Sequence, residues 1–175
     1  MSIFAQNTYD LPLDADGKIE YKKVVEEKAD AETLYNRAMT WITANIRNHA
    51  LKVTLLDESN RVIEAYKKFN IEFDIETEVK GFGGLNTKTE TKSYKIMVRY
   101  DFKLEFKEGR YRIILNNFRM ASDSGIPVER YFEDEDEEKQ EYYEKFFESL
   151  DSNAKSFIEA IQQALKEAEE VDDSW

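Results

Sequence analysis

The chain has 175 residues and a formal net charge of −12, with 37 acidic residues against 25 Lys and Arg, one histidine and no cysteine. One domain of this size buries roughly 70% of its unfolded surface and folds without staples. The missing cysteines exclude disulfides, thiolate metal sites and a cysteine nucleophile, and the acidity opposes nucleic acid and anionic lipid as partners.

No apolar run approaches the ~18 residues expected of a membrane-spanning helix. At the start, the apolar "IFAQ" ahead of the polar "NTYD" has the look of the end of an export signal. A frayed N-terminus is the other reading, and residues 1–8 are expected to lie outside the domain on either one.

The string "DLPLDADGKIEYKKVV" follows, with Asp14-Ala-Asp16-Gly17 set between apolar flanks. An Asp-Gly pair in such a setting signals a tight hairpin, because Gly accepts the positive φ of the turn. The same letters resemble the start of a calcium loop. With Gly17 at loop position six, however, position one is Pro12 and position twelve is Lys23. Calcium loops need an Asp and a bidentate Glu there, so the segment is read as a turn, with no metal site.

Asp30 is a good N-cap for "AETLYNRAMTWITANI", where Leu34, Ala38, Trp41, Ile42 and Asn45 recur at helical spacing and Tyr35, Met39 and Ile46 widen the stripe. The helix is expected to end near Asn48 and His49. From Leu51 to Phe118 the period becomes two. Ile63, Ala65, Phe69, Ile71, Phe73, Ile75 and Val79 alternate with charged residues, with a break expected near Lys67-Lys68.

The clearest strand is "YKIMVRYDFKLEF". Tyr94, Ile96, Val98, Tyr100, Phe102, Leu104 and Phe106 point one way, and Lys95, Arg99, Asp101, Lys103 and Glu105 the other. Such alternation marks a strand with one buried and one wet face, as in antiparallel sheets. "KEG" at 107–109 turns the chain into Tyr111, Ile113 and Leu115. A meander of five strands is expected after the first helix. Beyond Gly125 and Pro127, an apolar stripe runs through Tyr143, Phe146, Phe147, Leu150, Ala154, Phe157, Ile158, Ile161, Leu165 and Ala168. Either one helix over 137–168 or two aligned segments meeting at Ser152-Asn153 fits, and a single helix of that length tends to overhang a 13-residue strand.

"LPLDADGKIEYKKVVE", "LYNRAMTWI" and "FKEGRYRIILNNF", taken in that order, resemble a family of secreted bacterial proteins described as a domain of unknown function with a TATA-binding-protein-like fold. The resemblance covers about residues 9–120. It implies a two-layer α+β sandwich with helices on one face of a curved sheet, and export from the cytoplasm. It supplies no activity and no site residues. The C-terminal helix lies outside it, and a helix-grip arrangement is the alternative architecture.

Nothing singles out catalytic chemistry. His49 stands alone with no nucleophile motif, "GFGGL" lacks the Walker spacing and its Lys, and "EDEDEE" reads as a solvated helix start. The expectation is one α+β domain over 9–170, with a flexible tail at 171–175, no catalytic residues, and no metal or cofactor. Its function is read as a non-enzymatic extracytoplasmic binding module for a protein or small-molecule partner. A carrier of an apolar ligand between sheet and helix, and a carboxylate-dependent hydrolase, are the alternatives.

Overall fold

The computed structural model describes residues 9–46, 51–80, 87–121, 125–134 and 136–167. Strand β1 spans Tyr21–Glu26, helix α1 Ala31–Ile46, and strands β2 to β5 span Leu51–Asp57, Val62–Lys80, Thr87–Lys107 and Arg110–Met120. A 3-10 turn at Val128–Glu133 and a shorter one at Glu137–Lys139 lead into helix α2, Gln140–Glu167. All strand pairs are antiparallel, in the order β1-β5-β4-β3-β2.

The sheet has the expected five strands, but only four follow α1. The fifth is β1, which leaves the N-terminal turn and pairs Tyr21 with Leu115 and Val25 with Tyr111. The hairpin itself is short: a bridge joins Leu13 and Ile19, and Glu20 N–H donates to the Pro12 carbonyl at 3.0 Å. Local alternation identifies a strand but not its distant partner.

The expected break at Lys67-Lys68 is also absent, and β3 runs unbroken through both. Lys67 occupies a position on the helix side of the sheet, and its Nζ lies 4.3 Å from the centre of the Phe157 ring. A lysine keeps an inward strand position when its stem packs on apolar surface and its head meets an aromatic face. Burial accordingly lowers its pKa.

Helices α1 and α2 cover one face only. Ile63, Ala65, Val98, Tyr100, Phe102, Leu104, Ile113 and Leu115 from the strands are buried against Leu34, Ala38 and Ile42 of α1 and the apolar stripe of α2. Phe157 centres this layer, with its ring 5.4 Å from Tyr100, 5.3 Å from Phe102 and 5.7 Å from Trp41. In β5 the inward spacing jumps from Leu115 to Phe118, because the ladder slips between Arg99 and Asp101 of β4. The extra residue is Asn117, with φ 54°, a left-handed conformation that Asn tolerates. It keeps Phe118 in the core.

Helix α2 is continuous through Asp151 to Asn153, so the one-helix alternative holds. Its 28 residues span about 42 Å. No overhang results, because β3 and β4 are 19 and 21 residues long and extend well past it. His49, residues 1–8, the "GFGGL" loop, Ala168 and the tail at 171–175 lie outside the described residues.

Candidate interaction face

The face of the sheet opposite the helices carries the charged half of each alternating strand. Its middle is unexpectedly basic for so acidic a chain. The register places Lys68 opposite Arg99, and Arg99 opposite Arg119, so three cations form one row across β3, β4 and β5. Like charges directly opposite one another destabilise a sheet, so this row costs stability and calls for a reason.

Neighbouring groups hold two of the three in place. The Arg99 guanidinium lies 4.0 Å from the centre of the Tyr66 ring and bonds Asp101 Oδ1 at 2.8 Å. Asp101 Oδ2 in turn accepts from Asn117 Nδ2 at 2.5 Å, and Arg119 Nε donates to Asn117 Oδ1 at 2.5 Å. The bulge residue thus joins the two arginines through one carboxylate. Arg119 also donates to the Gly125 carbonyl at 3.2 Å. Lys68 is exposed and has no acidic partner among the described residues. Met97, half exposed, borders the row on β4.

Beside the row lies an open depression of about 330 Å³, lined by Arg99, Asp101, Lys103, Glu64, Asn116 and Ile114 among others. Lys103 pairs with Glu64 at 3.1 Å and with Glu105 at 3.5 Å, and Arg112 grips Glu105 from the other side. The hydrogen bond to Glu64 leads the effects that raise the Lys103 pKa. Partial burial opposes the charge on Glu105, but bonding to Arg112 and the charges of Arg112 and Lys103 outweigh it and hold its carboxyl below the usual value. Of the carboxylates that line the depression, Asp101 is tied to Arg99 and Glu64 to Lys103.

Sequence alternation alone identifies Arg99 and Lys103 as outward-facing. It misses Lys68, read there as a strand break, and Arg119, displaced by the bulge. Neither position shows a local signal, because only the register joins them.

The Asp14–Gly17 segment singled out in the sequence behaves as local structure. Asp14 Oδ1 accepts from the N–H groups of Asp16 and Lys18, both at 2.9 Å, and Gly17 has φ 74°. That carboxylate closes a turn. Among the described residues no cluster of three metal-ligating side chains occurs, and no helix is long and apolar enough to cross a membrane. Rings pack around Phe157 between α2 and the sheet, and the depressions at Val24, at the Asp14 turn and beside α2 open to solvent.

No protein-family profile and no curated protein matches the chain. Solved structures do. A DUF4468 family protein from Bacteroides ovatus ATCC 8483 superposes with a TM-score of 0.63 at 14% identity, covering 89% of this chain and 90% of that one. A TBP-like protein from Parabacteroides distasonis ATCC 8503 gives 0.60 at 12% identity, covering 89% of this chain and 96% of the other. At such identities the likeness speaks for architecture alone. The chain has the TBP-like α+β fold, shared with bacterial domains of unknown function.

Proposed function

We propose that the protein is a non-enzymatic interaction module that receives an acidic protein partner on the open face of its sheet. The observation that carries this reading is the Lys68–Arg99–Arg119 row, three like charges aligned on a chain of net charge −12. A partner carboxylate removes the repulsion, so binding recovers the stability that the row costs. Tyr66 and Met97 supply apolar contact beside it, as aromatic and Met side chains do in interface cores. A long polyanion such as duplex DNA also meets the row, but the field of the whole chain opposes it.

The test is an amide-shift titration with hexaglutamate, run beside a duplex DNA of mixed sequence. Saturable shifts confined to β3, β4 and β5 with the peptide, lost in Lys68→Glu with Arg99→Glu, support the reading. Tighter binding of the duplex moves the role to nucleic acid, and no shift with either probe removes it. Work outside the cytoplasm belongs to the same proposal and rests on the family resemblance. Fractionation of cells producing the full-length gene product checks it, and a purely cytoplasmic pool contradicts it.

A further inference from the structure

The sheet ends at β1, and among the described residues no strand pairs with its outer edge. Glu27 N–H donates to the Gly109 carbonyl at 3.0 Å, and the period of two then turns the main-chain groups of Val25, Lys23 and Tyr21 toward β5. Those of Glu20, Lys22, Val24 and Glu26 face outward. The Glu20 N–H is satisfied by the Pro12 carbonyl. Asp10, the residue due opposite Lys22, has φ 53°, and Tyr9 packs instead against Phe132 and Phe147. Lys22, Val24 and Glu26 are exposed, and Val24, at 57%, is the most exposed large apolar side chain among the described residues. The other edge, β2, is different: its ladder slips between Val53 and Leu55, the kind of irregularity that blunts an edge.

We infer that a second copy of this chain pairs with β1, antiparallel about a two-fold axis at Val24, joining two five-stranded sheets into one of ten strands. In that register Val24 meets Val24 of the partner, Lys22 meets Glu26 of the partner, and Glu26 meets Lys22 of the partner. Every outward main-chain group of the three residues then gains a bond. The charges complement one another twice, and no ion pair within the chain engages Lys22 or Glu26 among the described residues. Tyr21 Oη donates to Asp151 Oδ1 at 2.9 Å and fastens the start of the strand to α2, so the edge is held ready. The two-fold operation closes the assembly, which stops at two copies. This inference is independent of the basic row, which lies on an inner part of the sheet.

Edge pairing over the five residues 22–26 buries less than a standard interface, so the dissociation constant expected is on the order of 100 µM. Sedimentation equilibrium of the full chain from roughly 10 to 500 µM covers that range. The expected result is a monomer–dimer equilibrium. Lys22→Glu weakens it about tenfold, and adding Glu26→Lys to that variant restores it. Val24→Pro abolishes it without taking a hydrogen bond from the monomer, since the Val24 N–H faces outward. Circular dichroism confirms that each variant is folded, and Val24→Lys replaces the proline variant if that one is not. A monomer throughout the range overturns the inference. So does a dimer that ignores these substitutions, a charge swap that fails to restore association, or open-ended growth.

Discussion

The β3–β4 hairpin runs through two environments, and its two ends differ in everything except sequence pattern. At the base, Ile63 faces Leu104 and Ala65 faces Phe102, with β2 and β5 on either side and both helices above. From Asp74 and Ser93 outward, neither edge has a neighbouring strand among the described residues, since β2 pairs no further than Lys67 and β5 no further than Val98. Phe73 and Tyr94 stack at the boundary and Tyr142 of α2 meets both edge-on, with ring centres 5.0 to 5.3 Å apart. Alternation continues past this point: Ile75 and Val79 still take their turn, yet Val79 is 41% exposed. Alternation therefore specifies a strand, while burial depends on what is laid over it.

The most severe way to break the contrast is to remove the cover. A chain ending at Phe132 loses α2, with Phe146, Phe147, Leu150, Phe157 and Ile161, all buried. Each buried Phe contributes about 3–5 kcal/mol on truncation, against a usual total of roughly 5–15 kcal/mol. The expected outcome is no cooperative melt by calorimetry. A melt at the full-length temperature would show that the base needs no helix.

Next in size is a change at the base itself. Phe102→Asp places a carboxylate among Phe157 and its neighbours and is expected to cost about 4 kcal/mol, read from urea midpoints. At the distal end, replacing residues 76–91 with a two-residue Asn-Gly turn should cost about 1 kcal/mol or less, because residues 76–79 and 88–91 are exposed. A large loss there would mean that the ribbon supports the core, and the two ends would no longer differ as described.

Much of this base was legible in the sequence. The inward set of β4 from Val98 to Phe106 and the α2 stripe from Tyr143 to Leu165 follow from periods of two and 3.6 and recur in the core, while Tyr94 and Ile96 are only partly buried. The sheet's outer strand was not, because pairing Tyr21 with Leu115 is a long-range event with no local mark. The candidate site was legible only in part. Arg99 was visible as outward-facing, but the row needed both the register of Lys68 and the slip at Asn117. Charges that gather through pairing leave no signature in a window of neighbouring residues.

The smallest expected effect lies on the open face at the same strand level as Phe102, and it is a dependence on pH. Glu105 has a lowered pKa in the folded chain, so its contribution is present above the ordinary carboxylate value and disappears as pH falls through the folded one. Lys103 has a raised pKa, so its contribution is complete below the ordinary lysine value and disappears as pH rises through the folded one. These groups are partly exposed and screened, so each is expected to supply well under about 1 kcal/mol. Glu105→Gln should therefore lower the urea midpoint slightly at pH 7, by a margin that shrinks as the pH falls and the wild-type carboxylate takes up its proton. Lys103→Met should lower it at pH 7, and that effect should fade as the pH rises through the folded amine's value. An equal loss at every pH would assign both residues to packing rather than charge. The open face would then resemble the covered one, and the contrast between the two sides of β4 would fail.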